Sequence, residues 1–169
     1  MPLFYTITYQ PGGQTEKFYG TAGRRYRVAG DDLIDLHSHP VWCFRCGKVT
    51  EGERIESVRE LDEKIKNLER LAGEIRAEAR AEGRFTHDEP ADHVQQSDLA
   101  HLGQRRRWRV ARQSPPRCLS CGSTHIEELR LDAPFSCLTS GTIHLSLIGI
   151  YDPTSESREI FSAEGELLA

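Results

Sequence analysis

The chain has 169 residues, 28% of them charged and 37% hydrophobic, with a formal net charge of −4 at pH 7. That length suits one domain with a modest core and an element that projects from it. The acidic balance excludes a globally basic nucleic-acid binder. The best apolar run, Ile143 to Ile150, is broken by His144, Ser146 and Gly149 and is too short to span a bilayer.

At the N-terminus Leu3, Tyr5, Ile7 and Tyr9 alternate with Phe4, Thr6 and Thr8, which predicts a strand. Pro11-Gly12-Gly13 turns it, and Glu16 to Tyr19 returns as a hairpin partner. Further strands are expected around Tyr26 to Ala29 and Leu33 to His37, separated by Gly30-Asp31-Asp32. The second leads into Cys43-Phe-Arg-Cys46-Gly47, with Leu33, Asp35, His37 and His39 on one face and Ile34, Leu36 and Ser38 on the other.

Thr50-Glu-Gly-Glu53 has the form of a capping box and predicts the start of a helix. Val58, Leu61, Ile65, Leu68, Ala72, Ile75 and Ala79 then fall at a and d positions of a seven-residue repeat, and Gly83 is placed to end it. About thirty residues of helix would reach roughly 45 Å. So narrow an apolar stripe needs a second helix, supplied by residues 90–104 of this chain, with Val94, Leu99 and Leu102, or by another molecule. Residues 84–98 would form the hairpin tip or a loop.

Residues 98–117 hold six arginines against Asp98, whereas residues 122–169 hold eight acids against Arg130 and Arg158. Trp108 and Val110 alternate with Arg107 and Arg109, which suits a strand entering Cys118-Leu-Ser-Cys121-Gly122. His125 to Leu131 would leave as its partner. Gly141 to Tyr151 is a central strand, followed by a turn at Asp152-Pro153, a strand around Arg158 to Phe161 and a last turn back through Ala163 to Leu167.

The two Cys-x-x-Cys-Gly turns carry the strongest chemical signal. Two residues between paired cysteines aim both sulfurs at one ion, and a following glycine accepts positive φ. Cys43, Cys46, Cys118 and Cys121 thus predict one tetrahedral, structural zinc ion. A disulfide framework would suit a small secreted domain, but the first residues show no basic leader with an apolar core and small-residue cleavage site, so a reduced, cytoplasmic setting is expected. A thioredoxin-like pair would want a helix where Gly47 and Gly122 stand. Cys137, the odd thiol, reads as a packing residue, with a nucleophile paired to His144 or His125 as the rarer role.

Residues 36–50 and 107–131 resemble the zinc-ribbon group, in which two cysteine knuckles sit at the tips of short β-hairpins; Pro116-Arg-Cys-Leu-Ser-Cys-Gly-Ser123 is especially similar to a ribbon's second knuckle. Ribbons usually have a shorter stretch between knuckles. Lengthening it from about fifteen to about seventy residues adds only roughly 1.3 kcal/mol of closure entropy, against about 10–16 kcal/mol from structural zinc. The fold expected is α+β: a mainly antiparallel β body with a zinc ribbon, residues 1–50 and 105–169, and an inserted helix or helical hairpin, residues 51–104, forming a coiled-coil arm.

Two functions fit this plan. One is an interaction or adaptor protein that binds another protein, or its own copy as a homodimer, through the coiled-coil stripe. The other is a nucleic-acid-binding ribbon in transcription or RNA metabolism, using Arg105, Arg106, Arg107, Arg109 and Arg112 on phosphates and Trp108 on a base. Paired with the acidic C-terminal portion, the same arginines would be merely a solvated strand face. With its acidic Asp88-Glu89 tip, the arm resembles bacterial RNA-polymerase secondary-channel factors, whose zinc module flanks the hairpin with different spacing. Enzyme chemistry has little support: there is no phosphate loop, serine elbow or carboxylate pair, and a hydrolytic site would need a second metal on His37, His39 and Asp35.

Overall fold

The computed structural model describes residues 3–10, 13–20, 23–82, 90–137, 141–150 and 159–168. Among these residues the fold is α+β, with three sheets and two α-helices. The chain divides into two compact units, Met1–Arg54 with Gln113–Ala169, and Ile55–Arg112.

In the first unit, β1 (Leu3–Gln10) and β2 (Gln14–Tyr19) form the expected hairpin, pairing Tyr5 with Phe18 and Ile7 with Glu16. On its other edge β1 pairs with β9 (Gly141–Ile150), which is central as the sequence predicts. A short strand, β8 (Phe135–Cys137), completes this antiparallel sheet in the order β2-β1-β9-β8. Alternation brings Tyr5, Ile7, Ile143 and Leu145 to one buried face. Trp42 and Leu129 pack onto that face, with Phe18, Phe135 and Cys137 at its margin. Cys137 thus has the packing position expected of it.

A second sheet runs β11-β10-β3-β4: β3 is Arg25–Arg27, β4 Leu33–Asp35, β10 Ile160–Ser162 and β11 Leu167–Leu168. Its β3–β10 pair is parallel and the others antiparallel. Phe161, Tyr26 and Ile34 lie in one cross-strand row, all buried. Gly165, at φ 83°, makes the turn between β10 and β11 expected from Ala163 to Leu167.

The third sheet, in the order β6-β5-β7, consists of β5 (Ser38–Cys43), β6 (Lys48–Glu53) and β7 (Ile126–Glu128). The single lead-in strand expected from Leu33 to the first cysteine is broken. β4 ends at Asp35, and the chain changes sheets through Leu36 and His37, whose backbone bonds go to Arg24 and Arg54. Glu53 is fully buried and joins these sheets: its carboxylate accepts from the Tyr26 hydroxyl at 2.9 Å and the Arg117 N–H at 2.8 Å. Glu51 accepts from Ser38 Oγ at 3.0 Å and pairs with Arg24.

The second unit is a pair of helices packed on each other, α1 (Val58–Ala81) and α2 (Pro90–Ala111). Thr50 and Glu53 do not start α1, because β6 and its neighbours use their side chains. Ser57 and Glu60 form the capping box instead: Ser57 Oγ accepts from the Glu60 N–H at 3.1 Å, and Glu60 Oε2 accepts from the Ser57 N–H at 2.7 Å. The expected terminator Gly83, the acidic tip Asp88-Glu89 and the Asp152-Pro153 turn lie outside the described residues.

The strand expected around Arg107 to Val110 is the end of α2. Two-residue alternation over so short a stretch misleads; the buried Arg105, Trp108 and Arg112 are three and four apart, a helical spacing. Two of these arginines pair within the helical unit. Glu56, itself buried, accepts from Arg105 Nε at 3.0 Å and Nη2 at 2.9 Å and pairs with Lys64, while Arg106 pairs with Asp62.

Gly52 has no room for a side chain, since a Cβ would fall 2.5 Å from Cγ1 of the buried Val41. Gly52→Ala should therefore destabilise the β unit by about 1–3 kcal/mol in urea denaturation. Burial alone would raise the Glu56 pKa, but Lys64 and Arg105 hold it below the usual carboxylate value. Its contribution is present above the unfolded-state pKa and lost as pH falls through the lower folded one. Glu56→Gln, which removes the buried carboxylate charge that Arg105 and Lys64 pair with, should cost about 3–5 kcal/mol at neutral pH. The variant should also show a flatter acid-unfolding profile by circular dichroism.

Candidate metal centre

Both cysteine turns have the same local geometry. Cys43 ends β5, and the chain turns so that the Gly47 N–H donates to the Cys43 carbonyl at 2.8 Å, with Gly47 at φ 65°. Likewise the Gly122 N–H donates to the Cys118 carbonyl at 2.8 Å, with Gly122 at φ 71°. The Cys46 N–H also points at Cys43 Sγ, 3.4 Å away. Such amides orient a thiolate and stabilise its charge.

The second turn is stitched to the edge of β6. Leu119 N–H donates to the Glu51 carbonyl and Glu53 N–H to the Arg117 carbonyl, each at 2.9 Å, flanking a bridge between Gly52 and Cys118. Thr50 and Ser120 hydroxyls meet at 2.6 Å. On the other side Phe44 N–H donates to the His125 carbonyl at 3.2 Å, and the two rings stack with centroids 4.2 Å apart. None of these contacts is visible in residue spacing, because each joins segments distant in sequence.

The result is a cluster of four sulfurs. Cys43 and Cys121 Sγ are 3.6 Å apart, Cys46 and Cys118 Sγ 4.0 Å, and all four lie within 4.8 Å of one another. Metal–sulfur bonds of about 2.3 Å in a tetrahedron require sulfur separations of about 3.8 Å. A disulfide needs about 2.0 Å, and all five cysteines are free thiols. Burial pushes the pKa of Cys43 up, and of Cys46 up to about 12, as neighbouring thiols withhold stabilisation. At Cys121 burial is outweighed by the Ser123 N–H and the other three thiols, and its pKa falls to about 7. Four thiolates this close need a cation, and an all-sulfur donor set suits zinc or another soft or borderline metal.

Among the described residues this is the one such group of metal-capable side chains. Asp35 pairs with Arg25 at 3.5 Å on β4, whereas His39 sits on β5 with Nε2 3.8 Å from Glu128, so the proposed Asp35–His37–His39 face is not assembled. The basic segment is also divided: Trp108 is only 7% exposed, Arg105 8% and Arg112 4%, with Arg112 over the Trp108 ring. Arg107 is exposed and Arg106 and Arg109 half-buried, so the six residues share no open surface. Along the α1 stripe, Leu61 and Ala72 are buried and Val58, Ile65 and Leu68 half-buried, while Ile75 is exposed; the Ala79 side chain lies outside the description. No helix among the described residues is long and apolar enough to cross a membrane.

Purified protein should carry one metal equivalent by elemental analysis, and cobalt(II) reconstitution should give the strong visible absorption of tetrahedral thiolate coordination. Cys118→Ser should abolish both and, because metal binding and folding are coupled, lower the melting temperature. No protein-family model matches the chain, and neither does any curated protein or solved structure, so the thiol geometry alone carries the metal assignment.

Proposed function

We propose that the protein is an adaptor: one structural zinc ion closes the β unit, and the helical pair binds another protein or a second copy as a coiled-coil arm. Four thiolate ligands leave zinc no position for water or substrate, which supports a structural role for the metal. The three-stranded sheet, with one knuckle at its hairpin and the other stitched to β6, fits a zinc ribbon whose connection has grown into the helices.

One observation carries the binding role. Leu71 is 45% exposed and Ile75 57%, each three residues from a half-buried or buried neighbour, Leu68 and Ala72, on a helix that is otherwise strongly charged. Each such side chain gains about 1.5–3 kcal/mol when fully covered. That gain is available to a partner.

A second reading, nucleic-acid binding, moves from the arginine segment to the knuckle tips, where Phe44 is 42% exposed on its stack with His125 and Arg45 and Lys48 are exposed. Zinc with four thiolates carries two net negative charges, however, and these two cations offset that charge first. The adaptor reading therefore leads.

Leu71→Glu with Ile75→Glu should leave metal content and the melting temperature near wild type, because both positions are exposed, and should eliminate partners recovered by cross-linking in cells. An unchanged partner set would contradict the adaptor. Tight, salt-sensitive oligonucleotide binding lost in Phe44→Ala would favour the second reading instead.

A further inference from the structure

The exposed apolar residues of α1, Leu71 and Ile75, lie on a line that runs along the edge of the a/d stripe and shares Leu68 and Ile75 with it. Lys64, Leu68, Leu71, Ile75 and Glu78 are spaced four, three, four and three residues apart, so they form one line along the helix. This line has a cation at its N-terminal end, an acid at its C-terminal end and Leu71 midway between them. The Lys64 side chain is 54% exposed even while it contacts Glu56, and Glu78 is exposed.

From this self-complementary pattern we propose that the occupant of the stripe is a second copy of the chain, paired antiparallel about a two-fold axis at Leu71. The inference deepens the adaptor reading and rests on it. Seven residues of helix on either side of Leu71 span about 10 Å, so each Lys64 comes opposite the other chain's Glu78, while Leu68, Leu71 and Ile75 are covered between them. Parallel pairing would oppose lysine to lysine and glutamate to glutamate. A two-fold interface uses the same patch on both copies, and only the antiparallel arrangement makes this patch complementary to itself. One helix face of this length buries less than a standard stable interface, so the dimer dissociates on dilution.

Sedimentation equilibrium of the metal-loaded full chain should show a monomer–dimer equilibrium. Leu71→Glu should leave only monomer. Glu78→Lys, at an exposed position, should weaken association at least about tenfold, because the symmetry counts the change twice. In an equal mixture of ¹⁴N- and ¹⁵N-labelled wild-type protein, a carbodiimide should join Lys64 of one isotope to Glu78 of the other. A monomer at every concentration, or a dimer indifferent to Glu78→Lys and without that cross-link, overturns self-pairing. Loss of cellular partners in the Leu71→Glu, Ile75→Glu variant would then still uphold the adaptor with a different protein in the stripe.

Discussion

The gathering of four thiols from two turns 72 residues apart is the constraint on which the β unit depends. Four thiols within 4.8 Å cannot all ionise without strong mutual repulsion of the thiolates; a divalent cation reverses that balance. Hydrogen bonds from Leu119 and Glu53, with the bridge between Gly52 and Cys118, hold the second turn against β6.

Three consecutive residues concentrate this work. Glu51 neutralises Arg24 and offers its carbonyl to Leu119, Gly52 leaves space for Val41, and Glu53 places a buried carboxylate between Tyr26 and the Arg117 N–H. The β unit's first segment ends immediately afterwards, at Arg54. Its second segment begins at Gln113, where Glu164 accepts from the Gln113 and Ser114 N–H groups at 3.4 and 2.8 Å. Within the helical unit, a charged cluster substitutes for part of an apolar core: Glu56 with Arg105 and Lys64 on one side, Leu61 and Ala72 on the other.

What could be read from sequence was local. The knuckles declare themselves because ligand spacing and a glycine are requirements of one tight turn; β1 and β9 do so because one face of each is buried, leaving two-residue alternation, and β2 because a Pro-Gly-Gly turn precedes it. Where a short segment satisfied two rules, tertiary contacts decided. Thr50 and Glu53 match a capping box, yet Ser120 and Tyr26 claim their side chains; Ser57 and Glu60 make the real one. The end of α2 was obscured because its buried face includes Arg105 and Arg112, which count as polar in any hydropathy pattern and are buried here beside Glu56 and Trp108. β8 is three residues long, too short for a period, and is defined by its pairing with β9.

Amide hydrogen exchange before and after chelation tests the metal clamp most directly. If the metal closes the β unit, chelation should strip protection from Gly47, Leu119, Gly122 and Glu53, whose hydrogen bonds frame the two turns, and leave the β1–β9 ladder at Ile7 and Leu145 protected for longer. Unchanged protection at those four amides would mean that the thiols meet without needing an ion, and the metal would lose its place as the fastening of this fold.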